Sequence, residues 1–225
     1  VALVKSKKFP SGNFPCKPFD AAPGLCLNAA MKNDFQKMTL VGAILLLAPS
    51  LASAHVLPDG SHGLQQGFLH PLSGGDHLLA MLAVGLWAAQ QQGRAVWLIP
   101  AAFVSLMTVG GALGLAGVLL PGVELGIALS LLVLGLLIAT AARFTPSLSM
   151  ALVGFFALFH GCAHGAEMPG SASAGLFSLG FIAATLLLHG AGLLAGFGLQ
   201  RAAQMRWVRF AGAAIAVCAF YFLAA

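Results

Sequence analysis

Two short stretches of this chain concentrate side chains that can bind a cation. The first is His70-Pro71-Leu72-Ser73-Gly74-Gly75-Asp76-His77. On an unbroken helix His70 and His77 would sit about 20° apart. Pro71, however, disfavours helix at His70, and Ser73 with Asp76 three residues on fits a capping box, in which Asp76 would serve only the helix start. In either case His70, Asp76 and His77 gather at one end of a helix. The second stretch is His160-Gly161-Cys162-Ala163-His164-Gly165-Ala166-Glu167. Measured from His160, His164 is displaced by about 40° and Glu167 by about −20°, so the three form one stripe. Two imidazoles and a carboxylate at that spacing can hold a divalent cation, and N/O ligands suit Ni²⁺, Co²⁺, Zn²⁺ or Fe²⁺ better than Cu⁺. Cys162 points about 160° away from His160 and is excluded from the site.

Three further histidines stand apart from these stretches. His189 lies deep in an apolar run, where it is either a second station on a path through the protein or a helix–helix hydrogen-bond partner. His55 and His62 fall in the polar leader HVLPDGSH, where a free α-amine beside His55 would make a chelating capture device. Met81, four residues after His77, reads as core packing or a soft contact.

The composition says what kind of element must carry these groups. Of 225 residues, 59% are hydrophobic and only 8% are charged, too little polar surface for a water-soluble globule. The fold class expected is all-α and polytopic, an integral membrane protein. The formal charge of +5 does not describe a basic face, because all six lysines precede position 38. Beyond residue 54 the chain carries five arginines against Asp59, Asp76, Glu124 and Glu167, so no nucleic-acid partner is expected. Cys16, Cys26, Cys162 and Cys218 suggest no disulfide framework.

Residues 31–54 read as a secretory signal peptide, with basic Lys32 and Lys37, a short apolar run and an Ala52-Ser53-Ala54 cleavage signal. Residues 1–30 read as an upstream extension without structure, and residues 55–225 as a six-helix transmembrane domain. The apolar runs fall at about 67–90, 95–119, 123–142, 147–166, 173–199 and 207–225, each long enough to cross a bilayer. Small residues four apart (Gly110/Gly114, Gly122/Gly126, Gly161/Gly165, Gly192/Gly196) predict close helix packing. Every arginine falls in or beside alternate links, a pattern that puts those links in the cytoplasm. Both ends of the processed chain would then face the periplasm across a bacterial inner membrane, as would the two histidine stretches. Ionisable groups inside spans are costly, so each intramembrane histidine is a functional candidate.

The run HPLSGGDHLLAMLAVGLWAAQ and the run FHGCAHGAEMP resemble the H-x5-D-H and HG-x-AHG-x-E signatures of the HupE/UreJ family, and the resemblance extends over residues 55–225. It implies secondary uptake of nickel or cobalt from the periplasm for hydrogenase or urease maturation, with no permanently bound cofactor and no enzymatic activity. His70, Asp76 and His77 match the first signature, and His160, His164 and Glu167 the second. The partners implied are the divalent metal ion, the lipid bilayer and, indirectly, the maturation proteins of nickel enzymes. A homo-oligomer is an open alternative. Two other classes compete: an intramembrane zinc hydrolase, with Asp76 or Glu167 as acid–base group, and a haem-binding carrier with histidines as axial ligands.

Overall fold

The computed structural model describes residues 62–91, 93–118, 120–168 and 173–224. The segments expected as signal peptide and upstream extension, His55 and the side chain of His62 lie outside the described residues. Among those described, all regular structure is helical: α1 (His62–Ser73), α2 (Gly75–Gln90), α3 (Ala95–Leu115), α4 (Val123–Thr140), α5 (Pro146–Ala166), α6 (Ala174–Arg201) and α7 (Met205–Ala224). Helices α3 to α7 are each long and apolar enough to cross a membrane, and α1 with α2 adds a sixth span if that bent pair is counted as one.

The bent pair departs from the sequence expectation. The first apolar run is not one straight helix from 67 to 90, because α1 and α2 meet at 83° across Gly74. Nor does the helix begin at Ser73. Ser73 closes α1, its hydroxyl donating to the His70 carbonyl at 2.7 Å, and Gly74 takes the extended N-cap position of α2 without a side-chain cap. Pro71 is accommodated inside α1 because it falls in the last turn, where one missing hydrogen bond costs little continuity. The capping box therefore does not form. The Asp76 carboxylate turns to its neighbour instead and accepts from the His77 amide at 2.8 Å.

Glycine sets how closely the helices approach. On α3, Gly110 and Gly114 face Gly161 and Gly165 of α5. A Cβ on Gly161 would run into the Met107 carbonyl, and one on Gly110 into the Leu158 carbonyl. Helices α2 and α6 meet in the same way at Gly85 and Gly192, α4 and α7 at Gly135 and Gly212, and α1 and α6 at Gly67 and Gly180. Such backbone contact replaces the hydrophobic effect as the source of association in lipid. The spacing Gly122/Gly126 is different. Gly122 precedes α4 with φ +69°, a turn position rather than part of a helical stripe.

Helix ends are satisfied by specific groups. Thr145 caps α5, its hydroxyl accepting from the Leu148 amide at 3.4 Å, with Pro146 in the first helical position. The last carbonyls of α4 and of the turn after it receive donors from other helices: Gln90 Nε2 reaches the Ile138 oxygen at 3.0 Å, Trp87 Nε1 the Ala142 oxygen at 3.0 Å, and Arg209 Nε the Ala139 oxygen at 2.7 Å. These bonds tie α2, α4 and α7 together at the end that carries the arginines.

Gly161→Leu should force α3 and α5 apart and cost at least about 1–3 kcal/mol, read as a lower Tm of the purified protein in detergent. Gly190→Ala, where an added Cβ meets nothing within 4 Å, should leave Tm unchanged or raise it slightly.

Candidate metal centre

Three helices deliver the centre. His70 comes from α1 just before the bend, Asp76 and His77 from the first turn of α2, and His160 and His164 from the last turns of α5. Glu167 caps the end of α5. Because α3 grips the Gly161/Gly165 face of α5, the adjoining His160/His164 face is held toward α2. The bend at Gly74 lets α1 and α2 approach that face from two directions.

His77, His160 and His164 are all buried, and one ring nitrogen from each lies within 4.8 Å of one from the others. The His77 and His164 rings are 4.1 Å apart between centroids, and those of His77 and His160 are 5.2 Å apart. A second set of ligand atoms, from His70, His164 and Glu167, meets the same distance limit nearer the surface. His70 Nε2 lies 3.1 Å from Glu167 Oε2, and His164 Nδ1 lies 3.9 Å from that oxygen. His164 belongs to both sets.

The hydrogen bonds around the buried set fix which nitrogens are free. Asp76 Oδ1 lies 2.7 Å from His77 Nδ1 and accepts its proton, so the lone pair of His77 is on Nε2, which is buried without a partner. Ser130 of α4 donates its only proton to the Ile127 carbonyl at 2.6 Å and therefore accepts from His160 Nε2 at 2.9 Å. That leaves the lone pair of His160 on Nδ1, also buried and unpartnered. Neither nitrogen of His164 has a hydrogen-bond partner. A buried imidazole held by one nitrogen, with the other left bare, is the arrangement by which a protein orients a metal ligand from behind. Left bare without a cation, such atoms would be a net cost.

The surroundings are apolar. Phe181 packs 4.3 Å from the His164 ring, Phe177 5.6 Å from His70 and Phe103 5.7 Å from His160. A cavity of about 140 Å³ between α3, α5 and α6 borders His164 and is lined by Met107, Gly111, Met168, Phe177 and Phe181.

The structure thus brings the six clustered residues together and divides their work. Asp76 stands behind His77 and is not part of either ligand set, and Glu167 pairs with His70 and His164 but not with His160. Cys162 is buried in the seam between α5 and α3, away from the imidazoles. His189 does not join them; its ring packs on Phe103 at 5.2 Å. Ser130 was missed by reading for His, Cys and carboxylates. Its signal is a lone serine in the interior of an otherwise apolar run, LGIALSLLVLGLLIA, within α4.

Comparison with known proteins gives a consistent picture. The family model described as HupE / UreJ protein matches residues 43–222. The chain is 45% identical over 186 residues to Protein HupE of Rhizobium leguminosarum bv. viciae, an alignment covering 81% of this chain and 95% of that relative. No solved structure gives a significant match. The family match and the near-complete alignment, over the same residues that build the histidine centre, establish that this chain belongs to the HupE/UreJ family.

Proposed function

We propose that the chain is a secondary permease that takes up Ni²⁺ or Co²⁺ from the periplasm and delivers it to the cytoplasm, for maturation of hydrogenase or urease. HupE/UreJ proteins are accessory permeases and not enzymes. The observation that carries the reading is the buried trio His77, His160 and His164, whose ring nitrogens come within 4.8 Å of one another and each of which keeps a nitrogen without a hydrogen-bond partner. A cation would enter at His70, His164 and Glu167, shed water there, and pass to the buried trio. His55, in the leader ahead of α1, and His62, at the first residue of α1, would serve capture. The cation is cargo, so the site must hold it firmly enough to select and loosely enough to release.

The expected setting is a bacterial inner membrane, with residues 31–54 removed as a signal peptide and six spans remaining. Arg94, Arg143, Arg201 and Arg206 lie in or beside the links at the end opposite the histidines, which supports a cytoplasmic arginine end and a periplasmic histidine end. Imidazole and carboxylate ligands support Ni²⁺ or Co²⁺ over Mg²⁺ and Ca²⁺, which take oxygen donors.

His77→Ala and His164→Ala should each abolish radionickel and radiocobalt accumulation in cells while the protein still reaches the membrane. Cys162→Ala should accumulate metal like the parent, and normal accumulation in both histidine variants would refute the site. Asp76→Asn keeps the shape but loses the charge behind His77, and nickel affinity of the purified protein should fall about 10–100-fold by equilibrium dialysis. Only neutral imidazole binds metal, so protons compete with the cargo.

A further inference from the structure

Below the histidine trio the interior continues as a column of polar groups on three helices. Along α6, Phe177, Phe181, Thr185 and His189 recur every four residues and so share a face. Phe181 packs on His164 at the level of the trio. One turn further in, the Thr185 hydroxyl donates to the Phe181 carbonyl at 2.9 Å, and it also lies 3.4 Å from Met81 Sδ and 3.9 Å from Met107 Sδ. With its proton directed at the carbonyl, the hydroxyl leaves both thioethers free as donors of a lone pair. One further turn in, His189 packs against Phe103, the residue one turn from Met107 on α3, and α2 presses Gly85 against the His189 backbone.

His189 is 1% exposed and both its ring nitrogens lack a hydrogen-bond partner. A histidine kept only to join two helices would spend at least one nitrogen on a neighbouring helix; this one spends neither. Phe103 touches the His160 ring at 5.7 Å and the His189 ring at 5.2 Å, so the two imidazole centroids are no farther apart than the sum of those distances, about 11 Å. From the level of Phe177 to that of His189, twelve residues of helix carry the path inward by about 18 Å.

We propose that His189 is a second, inner station for the transported cation, reached past the Met81 and Met107 thioethers and separated from the buried histidine trio by the Phe103 ring. This rests on the reading that the chain carries a transition-metal cation. The chemistry of the column is softer than that of the entrance: carboxylate and imidazole first, thioether next, a single imidazole last. Hard ions such as Mg²⁺ and Ca²⁺ gain nothing from thioethers, whereas Ni²⁺ and Co²⁺ tolerate them. The column thus filters cargo by donor type after the entrance has captured it, and a lone imidazole at its inner end binds weakly enough to let go.

The test uses the full chain, purified and reconstituted in proteoliposomes, with nickel uptake and equilibrium nickel binding measured side by side. His189→Leu should lower uptake by at least about tenfold while leaving nickel binding near that of the parent, whereas His164→Ala loses both. His189→Cys returns a ligand to the position. It should recover uptake relative to His189→Leu and, loaded with Co²⁺, show a thiolate-to-cobalt charge-transfer band in the difference spectrum against the parent. Parent-like uptake by His189→Leu overturns the station, as does loss of nickel binding together with uptake in a folded His189→Leu protein. If His189→Leu does not fold, the cysteine variant decides: a band supports the station and its absence overturns it. A parent protein that neither binds nor carries nickel or cobalt overturns the metal reading itself, an outcome distinct from a parent that transports while the inner variants behave like it.

Discussion

The structure depends on a scarcity of hydrogen-bond partners in an apolar interior. Three imidazoles are packed within touching distance inside a bundle whose other core residues are almost all hydrocarbon and offer them nothing to bond. Buried polar atoms in such surroundings are either paired or costly. The protein pairs one nitrogen of His77 through Asp76 and one of His160 through Ser130, and leaves the complementary nitrogens bare. Stability alone would not favour that pattern. It fits the proposed reading, in which those nitrogens are the ligand atoms of a metal site.

The glycines matter to this chemistry through distance. Imidazoles on separate helices reach one another only if the helices run close, and α5 is brought to α3 by contacts of backbone on backbone at Gly110, Gly114, Gly161 and Gly165. The histidines and the glycines of α5 alternate along the same short segment, His160-Gly161 and His164-Gly165, so one face packs while the next face binds. Packing and chemistry are therefore written into the six residues from His160 to Gly165. The break at Gly74 does the corresponding job on the other side. It frees α1 from the direction of α2 and sets His70 over Glu167 while His77 stays with the buried rings.

Much of this was legible in the sequence. Apolar runs and short links gave the helices, and the spacing His160, His164 put two rings in one cluster, whereas Glu167, past the last helical residue, meets His164 but not His160. What could not be read was how separate segments face each other. The helical period places Cys162 away from His160 but cannot say that Ser130, on a different helix, meets the far nitrogen of that ring. The local grammar of Ser73 and Asp76 pointed to a cap, and that expectation failed because His77, immediately next door, offered the carboxylate a charge-assisted partner that a backbone amide alone does not match. Similarly, Pro71 marked a disruption, but the break followed the glycine pair behind it, where an extended backbone is cheapest.

His164 sits in both ligand sets, and a neutral imidazole has a single lone pair to give. The surface triad and the buried triad therefore cannot be filled together through that ring. Any cation the centre carries must travel one at a time, pivoting on a shared donor as it exchanges His70 and Glu167 for His77 and His160. Coordination would be swapped piecewise, without stripping the ion bare in the apolar interior. For such a cation, exchange of ligands at this one ring, rather than the width of an open channel, would set the pace of the first step.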